Sequence, residues 1–123
     1  MGRHKYKVSA VEDRTWNGRL YASKAEMMYA IDLDAFREAG AIVEYIEQPK
    51  CYLGADTVYR ADFFVVAATT PIEVYYVDVK GVTTGAFNKI KKLWDKYARI
   101  PLHIVKYDYR RKIFYTDEVV ASR

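Results

Sequence analysis

Between residues 59 and 81 the chain reads YRADFFVVAATTPIEVYYVDVKG, two apolar runs on either side of AATTP. Short runs rich in Val, Phe and Tyr, bounded by a Pro-containing break, form strands, and two this close together pair as an antiparallel hairpin. With the turn centred near Thr70, opposed residues have numbers summing to about 140, which sets Asp62 against Asp78 with Cβ atoms roughly 4.5–5.5 Å apart. Lys80 lies two residues beyond Asp78 and shares its face, because strand side chains alternate with a period of two. A slip of one residue would turn one aspartate away. Two carboxylates held this close repel each other, and burial sharpens the conflict. A divalent cation between them removes it, and Mg²⁺ or Mn²⁺ prefers a few hard oxygen ligands with water filling the remaining positions. Aspartates also end strands in solvent, with a lysine in a surface pair; the shared register favours the cation.

The remaining punctuation frames this hairpin. Asn17-Gly18, between YKVSAVE and RLYA, marks a two-residue turn in a first hairpin. Ser23 is placed to cap a helix, Glu26 stands three residues on, and Gly40 sits where the helix should stop. Met28, Ile31 and Ala35, with Tyr29, Leu33 and Phe36, give the 3–4 spacing of its packed side. AIVEYIEQP reads as a strand ended by Pro49, and KCYLGAD as a loop or irregular edge. A second amphipathic helix spans about 86–98, with Phe87, Ile90, Trp94 and Ala98 inward and Lys89, Lys92 and Lys96 on another face. LHIVKY is a buried strand, and KIFYTDEVV a last strand or a short helix-ended segment. A chain of 123 residues supports one domain: a basic arm and hairpin (1–22), a core (23–107) and a basic tail or strand (108–123). Strands mixed with two helices form an α/β fold economically as a central sheet flanked by the helices.

Charge is segregated along the chain. Residues 1–25 carry six bases and two acids, residues 26–79 three bases and ten acids, and residues 80–123 eleven bases and four acids. An acidic centre between basic flanks suits a cation site within a surface that attracts polyanions; solvated helix faces that happen to segregate are the simpler alternative. No apolar run reaches the length of a membrane span and the N-terminus lacks an apolar signal region. The lone Cys51 forms no internal disulfide and fits a reducing, cytoplasmic setting as a packed residue. His4 and His103 match no metal spacing.

Asp62, fifteen intervening residues, then Asp78-Val79-Lys80, preceded by a helical Glu26, resembles the PD-(D/E)XK nuclease signature. The family's proline is absent, since Ala61 precedes Asp62, and the second acid is Asp rather than the commoner Glu. The segments SKAE, QPK, ADF and DVKG are similar to those of small phage and archaeal Holliday junction resolvases, and the likeness covers about residues 23 to 107. It implies a restriction-endonuclease-like core, a Mg²⁺ cofactor that Mn²⁺ can replace, branched or four-way DNA as substrate, and a homodimer cutting two strands symmetrically.

The same resemblance assigns roles. Asp62 and Asp78 would bind the metal through side-chain oxygens and Val79 through its carbonyl, while Glu26 would complete the acidic cluster or hold a water of the metal. Lys80 would orient the attacking water and offset charge on the phosphate. Ser23-x-x-Glu26 is also a capping box, so Glu26 has a local role as well, and both roles are compatible. Ser23 and Lys24, at a helix N-terminus, are placed to meet a phosphate. Lys89, Lys91, Lys92, Lys96 and Arg99, the run Arg110, Arg111 and Lys112, and the arm Arg3, Lys5 and Lys7 are the candidate DNA-backbone contacts. The competing readings are a flap or nicking nuclease, a non-catalytic DNA-binding module with structural acids, and, more weakly, a tyrosine-rich RNA-binding module.

Overall fold

The structure, a computed structural model, describes residues 9–54, 56–81 and 85–120. Arg3, Lys5, Lys7 and His4 therefore lie outside the described residues. The strand expected over YKVSAVE is not formed by its described part. Val11–Arg14 is instead a 3₁₀ turn opened by the Asp13 N–H bond to the Ala10 carbonyl (3.0 Å). The hairpin itself is short, β1 (Thr15–Trp16) against β2 (Arg19–Leu20), with Asn17 and Gly18 at φ 54° and 76° as its turn requires.

Helix α1 (Lys24–Glu38) begins and ends where its sequence signals stand. The Ser23 hydroxyl accepts the N–H of Glu26 at 3.0 Å. At the other end Gly40 adopts φ 81°, which lets its N–H reach the Arg37 carbonyl (3.1 Å) and that of Ala41 reach Phe36 (2.8 Å). The buried side differs from expectation: Glu26, Ala30 and Leu33 are buried, whereas Ile31, Ala35 and Phe36 are exposed. Apolar residues occur around most of this helix, so their spacing alone does not select one face.

The central sheet has the order β3-β6-β7-β8-β9, with β3 (Ile42–Glu47), β6 (Phe63–Ala67), β7 (Glu73–Val79), β8 (Leu102–Asp108) and β9 (Ile113–Val120). All neighbours are antiparallel except β7 and β8, which are parallel and joined through α2 (Gly85–Tyr97). The pairs Phe63↔Val77, Phe64↔Tyr76 and Val65↔Tyr75 are those of the register read from the sequence. Two boundaries move. Residues expected as a loop or irregular edge supply β4 (Lys50–Tyr52), which pairs with β5 (Val58–Arg60) in a separate hairpin, so the first apolar run is divided at Ala61 and Asp62. The C-terminal segment, expected as a last strand or a tail, is a full edge strand of the sheet.

Adjacent residues on one strand enter different cores, which puts the helices on opposite faces. Val77 and Val105 join Ala30 and Leu33 of α1, while Leu102 and Ile104 join Phe87 and Trp94 of α2. Trp94 is fully buried and its indole N–H donates to the Ile100 carbonyl at 2.8 Å; burying side chains of this size contributes about 1.5–3 kcal/mol each. The β4–β5 hairpin closes the second core through Cys51, Leu53 and Ala61. The result is an α/β fold, a mixed sheet between two helices. Among the described residues no helix is long and apolar enough to cross a membrane.

Candidate acid–lysine site at the end of the sheet

The start of β6, the end of β7, the end of β3 and the N-terminus of α1 meet at one end of the sheet, and the charged residues converge there. Asp62 and Asp78 face each other and each terminates the other's strand. The Asp62 N–H donates to the Val77 carbonyl and to Oδ1 of Asp78, both at 3.0 Å, and the Val79 N–H donates to Oδ2 of Asp62 at 2.8 Å. Asp78 is fully buried. Its Oδ2 accepts the phenol proton of Tyr59 at 2.5 Å and lies 3.9 Å from the Lys80 ammonium. Lys80 in turn donates to the Tyr59 hydroxyl at 3.3 Å, with Nζ 4.5 Å from the centre of the Phe87 ring.

Glu26 is buried and its carboxyl turns inward. Oε1 accepts from the Gln48 amide at 2.7 Å, and the carboxyl lies near enough to Asp62 and Asp78 for their charges to act on one another. The Ser23 half of the capping box is thus made, while the Glu26 side chain is committed to the acidic cluster. Buried carboxyls gathered this way repel one another as anions, and the surroundings favour protonation. Burial, reinforced by the charges of Asp78 and Glu26, pushes the Asp62 carboxyl up to about 8. Burial raises Glu26 and Asp78 too, the latter against the opposing pull of Lys80 and the Tyr59 hydroxyl. The Tyr59 phenol is held well above its usual range by burial and by Asp78.

Two residues of this site, Tyr59 and Glu47, were not singled out by their sequence context, and Gln48 was marked only as part of the QPK segment. Tyr59 arrives from the β4–β5 hairpin, and periodicity within β6 and β7 says nothing about a side chain supplied by a third segment. Gln48 adopts φ 55° where β3 turns away, its N–H on the Asp62 carbonyl at 2.9 Å. Its sequence signal was the QPK segment. Glu47, 3.6 Å from Arg19 and beside Tyr21, adds negative charge next to Glu26.

As the side chains stand, no group of three or more His, Cys, Asp and Glu among the described residues is arranged to hold a metal ion. In kind the donors fit a small divalent cation: two facing carboxylates with a third buried carboxyl near them.

The basic residues divide by position. Ser23 caps α1 at the site end, with Lys24 exposed beside it. Because α2 leaves the site end after β7 and returns along the sheet, Lys89 stands near that end, whereas Lys96, exposed in the last turn, lies about 10 Å further along the axis. Lys92 is exposed between them, and Lys91 pairs with Glu118 at 2.8 Å. Arg110 and Arg111 are exposed in the β8–β9 turn, which lies at the site end because β8 runs parallel to β7. His103 lies away from the acids, stacked 4.1 Å from Tyr75.

No known protein family, curated protein or solved structure matches the chain.

Proposed function

We propose that this chain is a metal-dependent DNA endonuclease of the PD-(D/E)XK type, acting on branched DNA as a Holliday junction resolvase. The observation that carries the reading is Asp62 set against a buried Asp78 with the Lys80 ammonium beside them. The order α1, β3, β6, β7, α2, β8 around a mixed sheet supports a restriction-endonuclease-like core.

In this reading Asp62, Asp78 and the Val79 carbonyl would hold Mg²⁺ or Mn²⁺, with Glu26 completing the cluster. Such an ion, when bound, would make water acidic enough to deprotonate near neutral pH and would offset charge on the scissile phosphate. Lys80, half-buried and held by Tyr59, orients the attacking water in line with the bond that breaks and opposes the charge that builds on the phosphate. Lys24, Lys89, Lys92, Arg110 and Arg111 bind the DNA backbone without reading sequence. A two-fold dimer presents two such sites to the two strands of a junction.

Labelled four-way, flap, duplex and single-stranded DNAs incubated with Mg²⁺ test this, with Asp78→Asn as the control. Matched nicks across the junction, lost in the variant, are expected; all substrates remaining intact would overturn the reading. A second reading has its own support: the hydrogen bonds of Asp62 and Asp78 to backbone N–H groups alone explain why aspartates stand there. A non-catalytic DNA-binding module predicts that Lys80→Ala alters no measurable function and that calorimetry detects no Mn²⁺ binding.

A further inference from the structure

The turn between β8 and β9 is built to hold its shape. Oδ1 of Asp108 accepts the N–H groups of Arg110 (2.9 Å) and Arg111 (3.1 Å), and the Lys112 N–H returns to the Asp108 carbonyl at 2.7 Å with Lys112 at φ 58°. The single acid of the turn is thereby occupied with its backbone. Arg111 touches it only at 3.9 Å and its side chain is 77% exposed. Below the turn, Tyr107 is wedged edge-on between Tyr109 and Phe114, both rings 4.9 Å away, which fixes the Tyr109 ring although that residue is 80% exposed. A cavity of about 500 Å³ lies here, lined by Tyr107, Asp108, Tyr109, Arg111, Ile113 and Tyr115.

From these observations we propose that the β8–β9 tip is a binding pocket for an unpaired nucleobase, which stacks on Tyr109 while Arg110 and Arg111 hold the adjoining phosphates. An exposed aromatic ring, a guanidinium and an open cavity together match the two faces of a nucleotide, a flat π-system and an anion. Every base presents such a face, so stacking tolerates any sequence, and a guanidinium can itself lie on an aromatic ring. Ile104 is opposite Asp78 in the parallel β7–β8 pair, so Tyr109, five residues further, lies about 16 Å beyond the acids. That is roughly five base-pair steps of a duplex, a distance at which a base unstacked at a branch point meets the tip while the backbone reaches Asp78.

This inference rests on nucleic acid being the ligand, and its test needs no cleavage. Fluorescence anisotropy in EDTA compares a short single strand, its abasic counterpart and a blunt duplex for wild type, Tyr109→Ala and Tyr109→Phe. Tyr109→Ala is expected to weaken single-strand binding about five-fold or more, leave the abasic strand and the duplex within about two-fold of wild type, and be rescued by Tyr109→Phe. Equal losses on all three DNAs, or no loss on the single strand, would overturn the pocket. Base-dependent binding without cleavage in Mg²⁺ would leave the pocket standing and remove the nuclease; tight binding of the duplex alone would do the reverse.

Discussion

The Tyr59 hydroxyl donates to Oδ2 of the fully buried Asp78 at 2.5 Å, and its own oxygen accepts a hydrogen bond from the Lys80 ammonium at 3.3 Å. One phenol thus fixes both the second acid of the site and its ammonium. The ring is held independently, edge-on to Trp94 and tilted against Phe87, so removing only the oxygen should leave the packing intact.

Tyr59→Phe is accordingly expected to slow cleavage while keeping the fold. A hydrogen bond to a charged group is worth about 1.5–3 kcal/mol, so single-turnover cleavage should slow by roughly 10- to 100-fold if that energy acts in the transition state. The thermal midpoint should fall as well, by about 4–8 °C for each kcal/mol lost in a domain near this size. An unchanged cleavage rate would show that Lys80 is positioned without Tyr59.

Stability of the metal-free protein should fall as pH rises. The Asp62 carboxyl is pushed up to about 8, against about 3.9 in an unfolded chain. Folding therefore favours its protonated form: the contribution is complete below about pH 4 and is lost progressively as pH climbs toward 8. Glu26 and Asp78, both raised by burial, act in the same direction. In EDTA the melting temperature should be higher near pH 5 than near pH 8, a difference on the order of a few kcal/mol, and Asp62→Asn should flatten the slope. A midpoint that rises over that interval would show that the acids are stabilised as anions.

How much of this was legible in the sequence follows from the range of each interaction. The β6–β7 register was, because turn and alternation fix it locally, and it brought Asp62 and Asp78 together. The α1 caps were, since Ser23 and Gly40 act within one turn of the chain. The covered face of α1 was not, because apolar residues surround much of the helix. Nor was Tyr59 at the site: it depends on the β4–β5 hairpin folding back over the sheet, a tertiary event without a local periodicity.

Divalent ions should reverse the pH effect if the cluster holds one. A ligand that binds only the folded state adds about 2.7 kcal/mol at one hundred times its dissociation constant, so Mn²⁺ should raise the melting temperature of wild type near pH 8. Asp78→Asn keeps an oxygen for the Asp62 N–H but loses the charge, and should abolish the shift. Lys80→Ala should retain the shift and lose cleavage. A Mn²⁺ response that survives in Asp78→Asn would place the ion elsewhere.

The path of α2 orders the lysines. Lys89 stands near the site end of the helix and Lys96 in its last turn, both exposed. Each phosphate contact contributes about 0.9 to the slope of log affinity against log salt on duplex DNA. Lys89→Ala should lower that slope by about one and weaken binding of every sequence alike, whereas Lys96→Ala should change neither. Titrations of duplex DNA at several salt concentrations, read by anisotropy, check this without requiring cleavage. Equal effects of the two substitutions would mean that DNA lies along the whole of α2, not across the end of the sheet where the acids are.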